Sequence, residues 1–380
     1  MSESRPVWVI GHKNPDTDSI CAAIAYADLK NKTEDGEFIP KKAGSLNNET
    51  AYVLRRFGVP EPGTVSDVGA QIKDIDFRRT AGVNGHFSLK KAWELMKQED
   101  VVTLPIVGIA GNLEGVIVNG DIAYSYMDVY DNHILSRART QYKNIIETVD
   151  GTMHVGNEHA SFLNGKVVVA TKNRSDMGSE IEADDLVILG DVVERQLIAL
   201  EKIPSCLIIT ETDTVDPRVI EKADEIDCVL ITTRYDSFTV ARLINQSIPI
   251  RFFMTREDLV TFEPEDYIDD VKEVMTKIRH RDFPVVDENR HYIGMFSRRH
   301  LLNMQKKKLI LVDHNEKSQA VDGIDQAEIL EIIDHHRLGS LETIQPIYFR
   351  NQPLGCCSTI IYRMYKEKGV EVDPKIAGLL

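Results

Sequence analysis

The sequence predicts an α/β fold in which a doubly wound parallel sheet is interrupted by a long internal insert. Short, continuous apolar runs such as 7–10 and 308–312 end in polar residues, which is typical of buried parallel strands. The two ends of the chain share this pattern, whereas the middle carries a duplicated βαββα unit. The 380 residues are enough for two to four domains of about 100–200 residues each.

Composition and charge exclude several functional classes. Lysine and arginine number 45 against 60 aspartates and glutamates, so the net charge is −15 and we predict no nucleic-acid partner. No signal peptide and no run of 18 apolar residues is present, so we predict no membrane partner. The five cysteines are odd in number and lack a CxxC spacing, which predicts reduced thiols in a cytoplasmic protein.

The first part of the chain predicts strand, loop and helix in that order. The strand covers 7–10, and a helix rich in alanine and isoleucine covers 19–27, with Asp16 or Asp18 as its cap. A second helix is expected over 47–58, where a glycine and the following prolines mark a boundary.

The last part predicts two further buried strands, over 308–312 and 328–333. Aspartate and histidine follow directly after each of these strands, and the loop after the strand over 7–10 contains the same residue types. Ligands of open parallel sheets bind beyond the carboxyl ends of the strands. We therefore expect the three polar clusters to meet at one edge of the sheet.

The middle of the chain contains an internal repeat. Residues 103–122 and 282–301 each predict strand, turn, strand and helix, and the copies lie about 180 residues apart. An alternating α/β segment separates them and includes expected strands over 206–210 and 228–232.

The polar clusters combine imidazoles and carboxylates, a ligand mix that suits manganese or cobalt better than calcium. The candidate residues are His12, Asp16, Asp18, Asp313, His335 and His336. One aspartate bridging two ions would give the separation of about 3.5–4 Å that is found in two-metal phosphoryl-transfer sites. The alternative is that the aspartates of the first loop only cap the helix that follows.

Segments 11–19, 312–316, 334–336 and 354–361 resemble, in this order, motifs of the family II inorganic pyrophosphatases of the DHH superfamily. The resemblance covers roughly 1–66 and 306–380. It implies two Mn²⁺ or Co²⁺ ions per active site, with Mg²⁺ as a weaker substitute. The implied ligands are His12, Asp16 and Asp313 for one ion and Asp18, Asp313 and His335 for the other. The implied catalytic residues are Asp313, which bridges the ions, and His336, which contacts a phosphate.

The repeat resembles a pair of CBS modules, and the segment between the copies resembles a DRTGG domain without its five-letter signature. The implied domains are the first part of the DHH domain at 1–66, CBS modules at 67–125 and 250–305, a DRTGG-like domain at 126–249 and the second part of the DHH domain at 306–380. CBS pairs bind adenine nucleotides, so AMP, ADP, ATP or diadenosine polyphosphates are expected ligands, and a homodimer is implied. Ser297 and Arg298 would contact phosphate and Asp121 ribose hydroxyls; the alternative is that they are turn and helix-cap residues.

The implied function is hydrolysis of inorganic pyrophosphate to two phosphates under control of adenine nucleotides. In this family a fourth metal-binding aspartate and a basic substrate-binding domain follow the helix predicted at Pro374, and the 380 residues contain neither. We therefore expect an incomplete form that hydrolyses pyrophosphate poorly or not at all. Two alternatives stay open, namely another DHH phosphoesterase and a non-catalytic nucleotide sensor.

Overall fold

The computed structural model describes residues 5–127, 130–171 and 179–380. The strands are β1 Val7–Ile10, β2 Phe38–Lys42, β3 Gly63–Thr64, β4 Thr103–Val107, β5 Leu113–Val118, β6 Gly151–Val155, β7 Val167–Val169, β8 Leu186–Gly190, β9 Cys206–Thr210, β10 Val229–Thr233, β11 Asp282–Val286, β12 Tyr292–Ser297, β13 Lys308–Val312, β14 Glu328–Asp334 and β15 Tyr348–Asn351. The helices are α1 Thr17–Thr33, α2 Asn48–Phe57, α3 Leu89–Gln98, α4 Asn119–Met127, α5 Ile134–Arg137, α6 Tyr142–Val149, α7 Val193–Leu200, α8 Pro217–Glu225, α9 Ser237–Leu243, α10 Ile268–Lys277, α11 Cys357–Glu367 and α12 Pro374–Ala377. None of these helices has the length and apolar character needed to cross a lipid bilayer.

The described chain divides into two compact units. Unit 1 consists of Met1–Phe77, Pro264–Arg281 and Ser297–Leu380, and unit 2 consists of Arg78–Glu263 and Asp282–Phe296. This division differs from the sequence-based domains, because α10 belongs to unit 1 although it falls within the second predicted CBS copy.

Unit 1 is built on a six-stranded parallel sheet with the order β15-β14-β13-β1-β2-β3. Strand β1 lies directly beside β13, with Ile10 opposite Leu311, although about 300 residues separate them in the chain. The predicted parallel sheet is therefore confirmed. Its order brings the carboxyl ends of β1, β13 and β14 to one edge, as the sequence predicts.

Helix α1 covers the predicted 19–27 segment and extends beyond it at both ends. Asp16, rather than Asp18, is its cap, because the Asp16 side chain accepts the N–H of Ser19 at 2.9 Å. Before the helix, a side chain at Gly11 would bring Cβ to 1.9 Å from Ser19 Oγ, so only glycine fits. That Oγ accepts the N–H of His12 at 3.1 Å and thereby fixes the loop that carries the first candidate ligand.

Helix α2 confirms the second predicted helix. Asn47 caps it by accepting the N–H of Thr50 at 2.7 Å, and Gly58 ends it in the left-handed conformation with a φ of 63°. The apolar faces of α1, α2 and α11 pack on one side of the sheet, with Tyr26 and Tyr365 among the most buried side chains.

Unit 2 contains a five-stranded sheet with the order β6-β10-β9-β8-β7, in which only β6 is antiparallel to its neighbour. Strand β9 has the predicted bounds. Strand β10 begins at Val229, one residue later than predicted, because the N–H of Cys228 donates to Ala223 O at the end of α8.

The two repeat copies each contain an antiparallel strand pair, but they differ after it. In the first copy α4 follows β5, as predicted. In the second copy the expected helix is wrong, since only the short 3₁₀ turn His300–Asn303 follows β12. The chain is extended again at Met304 and enters β13 at Lys308, which leaves no room for a longer helix.

Candidate metal centre

The predicted ligands converge on the carboxylate of Asp313 at the edge of the unit 1 sheet. Its Oδ2 lies 3.4 Å from His12 Nε2, and its Oδ1 lies 3.2 Å from His335 Nε2. Ligand atoms lie within 4.8 Å of one another in three groups that all include Asp313: with His12 and Asp16, with His335 and His336, and with Asp18 and Cys357. The structure therefore brings together all six candidate residues.

Asp313 is held in an unusual state. It is 1% exposed, it has a φ of 64°, and its Oδ1 has no hydrogen-bond partner among the described residues. Burial raises its pKa, and the charges of Asp18 and Asp16 raise it further, against the hydrogen bond from His12. A buried acceptor without a partner costs about 1–3 kcal/mol, and a bound cation would remove this cost.

His335 is oriented as a metal ligand. Its Nδ1–H donates to the carbonyl oxygen of Leu354 at 3.0 Å, so in the neutral ring Nε2 carries the lone pair. That nitrogen faces Oδ1 of Asp313 at 3.2 Å and Oδ2 of Asp18 at 3.9 Å. Three acceptor atoms that face one another need a cation between them, and a carbonyl on the far ring nitrogen is the usual partner of a metal-binding histidine. The residues present therefore fit a divalent ion.

His12 and Asp16 complete the other side of Asp313. His12 Nε2 lies 3.8 Å from Asp16 Oδ1, the oxygen that also caps α1. The capping role and the ligand role of Asp16 are thus compatible. The hydrogen bond to Asp313 raises the pKa of His12, against the opposing effect of burial. A metal ion that binds to Nε2 of His12 must displace the proton that this nitrogen shares with Asp313.

Asp18 is held by residues to which sequence reasoning gave no role. Its Oδ2 accepts the N–H of Cys357 at 2.6 Å, and its Oδ1 accepts the N–H of Ser358 at 2.9 Å and the hydroxyl of Ser358 at 2.8 Å. Both donors lie in the first turn of α11. The only sequence signal was the 354–361 segment of the family resemblance, which pointed to this region without naming a contact.

His336 and its neighbours form the outer wall of the centre. The Nδ1–H of His336 donates to Oδ1 of Asp334 at 2.8 Å, and its side chain is about half exposed. Asp334 is fully buried and accepts the amide of Asn315. Asn315 also donates to the carbonyl of Arg337 at 2.9 Å, which ties together the loops after β13 and β14. Sequence reasoning missed both Asp334 and Asn315.

His314 lies beneath the centre and was also missed. It is fully buried, and its Nδ1–H donates to Val312 O at 2.9 Å. Burial lowers its pKa to about 4, so the ring is neutral near pH 7. Its ring packs edge-on against the ring of His12, one of the candidate ligands, at a centroid distance of 6.5 Å.

The predicted nucleotide contacts have local structural partners. In unit 2, the Asp121 carboxylate accepts the N–H of Val118 at 2.8 Å at the start of α4, and burial raises its pKa. In unit 1, His300 Nδ1 accepts the N–H of Ser297 at 2.9 Å, which is the equivalent contact in the second copy. The Arg298 guanidinium donates to carbonyl oxygens at and beyond the end of α10.

Residues 6–380 match the family described as "DHH family, N-terminal domain". A cobalt-dependent inorganic pyrophosphatase of Clostridium perfringens is 40% identical over 374 residues, which are 98% of this chain and 68% of that protein. The chain belongs to the DHH family of inorganic pyrophosphatases. A probable manganese-dependent inorganic pyrophosphatase of Thermotoga maritima is 35% identical over 381 residues, which are 100% of this chain and 69% of that protein.

The insert has a relative of known structure. The CBS and DRTGG domains of the regulatory region of Clostridium perfringens pyrophosphatase, complexed with the activator diadenosine tetraphosphate, match 60% of this chain and 100% of that chain. The TM-score is 0.58 and the sequence identity is 33%. The family resemblance that the sequence motifs indicated, including the CBS–DRTGG–CBS insert, is therefore confirmed.

Proposed function

We propose that this protein hydrolyses inorganic pyrophosphate to two phosphates with Mn²⁺ or Co²⁺ as cofactor. The observation that carries the proposal is the convergence of imidazoles and carboxylates on the buried, unpartnered oxygen of Asp313. The names of the relatives support both the substrate and the metals, since they are cobalt- and manganese-dependent inorganic pyrophosphatases.

Two ligand sets share Asp313. His12 and Asp16 would hold one ion with it, and Asp18 and His335 would hold the other. When bound, such ions neutralise phosphate charge and lower the pKa of a bound water. The mixture of nitrogen and oxygen donors favours Mn²⁺ or Co²⁺ over Mg²⁺.

His336 is the residue that would contact substrate. Asp334 fixes its ring through Nδ1, at 2.8 Å, and leaves Nε2 for a phosphate oxygen. When the ring is protonated, Nε2 donates to that oxygen and offsets part of its charge. Its side chain is about half exposed, which leaves it accessible to a ligand that enters from solvent.

The insert would regulate this activity by binding adenine nucleotides: AMP, ADP, ATP or a diadenosine polyphosphate. The support is the activator bound to the related regulatory region of Clostridium perfringens pyrophosphatase. The proposed division of the insert is 67–125, 126–249 and 250–305, with Asp121, Ser297 and Arg298 as nucleotide contacts. We also propose a homodimer in the cytoplasm, where the five free cysteines would stay reduced.

The test combines metal binding with phosphate release. We expect the chain to bind Mn²⁺ and Co²⁺ in calorimetry and to release phosphate from pyrophosphate, at a low rate, more readily than from nucleotides. Because His12 is a ligand and His159 is a largely exposed histidine elsewhere, His12→Gln should weaken metal binding and abolish phosphate release, whereas the control His159→Gln should change neither.

Three outcomes would contradict the proposal. Phosphate release from nucleotides in preference to pyrophosphate would identify another phosphoesterase. Nucleotide binding without any metal binding would identify a sensor. Equal metal binding by His12→Gln and the parent chain would remove the proposed ligand set.

A further inference from the structure

Asp18 lies where the amino ends of two helices meet. It belongs to the first turn of α1, and its carboxylate accepts hydrogen bonds from the first turn of α11. The amino ends of both helices carry partial positive charge, which favours a carboxylate at this point. The contact joins parts of the chain that are about 340 residues apart.

One of the donors to Asp18 is a side chain. The N–H groups of Cys357 and Ser358 are backbone donors that any residue except proline would supply. The hydroxyl of Ser358, by contrast, depends on the residue type. It donates to Oδ1 of Asp18 at 2.8 Å, and Ser358 is only 4% exposed, so water has little access to replace it.

The two oxygens of Asp18 have different roles. Oδ1 accepts both bonds from Ser358, and Oδ2 is the oxygen that lies 3.9 Å from Nε2 of His335. Holding Oδ1 fixes the rotation of the carboxylate, so that Oδ2 stays directed toward the same space as His335 and Asp313. Without the hydroxyl, the carboxylate would keep two of its three hydrogen bonds, from the N–H groups of Cys357 and Ser358, and would be held less tightly.

We propose that Ser358 is a positioning residue for the metal position formed by Asp18, Asp313 and His335. The inference rests on the proposed function, because it assumes that this position binds an ion. Outer-shell partners of metal ligands typically change metal affinity by about 10–100-fold. Among the described residues, Ser358 makes its hydrogen bonds to Asp18 and none to His12, Asp16 or Asp313, which form the other position, so we expect only one of the two ions to be affected.

The chain offers a matched control on the same helical turn. The hydroxyl of Thr359 lies 3.2 Å from Cys356 Sγ and does not bond Asp18. Thr359→Ala therefore removes a hydroxyl from α11 without touching the carboxylate. Ser358→Thr keeps the hydroxyl and should retain most of the affinity that Ser358→Ala loses.

The experiment measures metal binding to the full chain rather than activity. Mn²⁺ is followed by electron paramagnetic resonance and Co²⁺ by its visible absorption, and the two classes of binding are assigned with His12→Gln, which weakens the position that contains His12. We expect Ser358→Ala to weaken the other class by about 10–100-fold, while the class lost in His12→Gln is unchanged. Thr359→Ala should bind both ions like the parent chain.

The possible results separate this inference from the proposed function. A parent chain that binds neither Mn²⁺ nor Co²⁺ would overturn the proposed function, and the inference with it. If Ser358→Ala binds both ions with the affinities of the parent chain, the inference is overturned and the proposed function is not. Equal weakening of both classes, together with a lower melting temperature of the metal-free variant, would show that Ser358 supports the fold and not one metal position.

Discussion

Asp313→Asn should affect metal binding and metal-free stability in opposite directions. Asparagine keeps the size of the side chain and tolerates the φ of 64° at this position, but it carries no charge. Because Asp313 belongs to every candidate ligand group, the substitution should abolish binding at both positions. Without metal, the same change removes a buried carboxylate that has an unpartnered oxygen.

The magnitude follows from burial and depends on pH. Replacing this buried charge, of which one oxygen has no partner among the described residues, by a neutral amide should raise the free energy of unfolding by about 1–3 kcal/mol. At pH 6 the gain is smaller, because protonated His12 donates to Asp313 in the parent chain. That contribution, from a histidine whose folded pKa is raised, is present below its unfolded pKa of 6.5 and is lost as the pH rises through the raised value. We therefore expect Asp313→Asn to stabilise the metal-free chain more at pH 9 than at pH 6.

Guanidinium unfolding in the presence of a chelator, at pH 6 and pH 9, measures this effect, and calorimetry with Mn²⁺ measures the loss of binding. If thermal unfolding is measured instead, a change of 1 kcal/mol in the free energy of unfolding corresponds to roughly 2–4 °C in melting temperature for a unit of about 150–250 residues. Asp35→Asn is the control, because Asp35 is exposed in the turn after α1 and lies outside the candidate ligand groups. A metal-free variant that is less stable than the parent at pH 9, or one that still binds two ions, would refute the reasoning.

Two further predictions concern buried groups. The buried His314 has a folded pKa of about 4 against 6.5 in the unfolded chain, so the metal-free parent should lose on the order of 3 kcal/mol as the pH falls from 6.5 to 4. His314→Gln should lose less over this range, as measured by urea unfolding at each pH; equal losses would contradict the assignment. Asp121→Asn keeps the cap on Val118 but removes a charge. If Asp121 contacts ribose, calorimetry should show weaker AMP binding at an unchanged melting temperature; unchanged affinity would leave Asp121 as a cap alone.

The convergence of the candidate ligands could be predicted because its signal is carried by residue type and strand order. A histidine or aspartate after a buried strand is visible in the sequence, and parallel pairing of β1, β13 and β14 brings those ends together. Local reasoning also limited the cap of α1 to Asp16 or Asp18 and placed the start of α2 near Asn47, because capping is a local property of the chain.

The groups that orient the ligands could not be predicted in the same way. The ring of His335 is held by the carbonyl of Leu354. This carbonyl is a backbone group that every residue has, so the sequence gives no sign of the contact. The hydroxyl of Ser358 reaches Asp18 only after α11 packs on α1, which is a tertiary event. The prediction of a helix after β12 was wrong for a related reason. The length of that segment is set by the short connection to β13, which is a tertiary constraint, and not by local helix propensity.

The two proposed metal positions therefore differ in how they are built. The first depends on one loop, because Gly11 and Ser19 fix His12 while Asp16 caps the helix that follows it. The second depends on packing between distant segments, because Asp18 is held by the first turn of α11 and His335 by the residues just before that helix. A shift of α11 relative to the sheet would misalign both ligands of the second position and leave the loop of the first unchanged. The affinity of the second position should thus report on the packing of α11 in unit 1, whereas the first position needs only the loop at 11–19 and the shared Asp313.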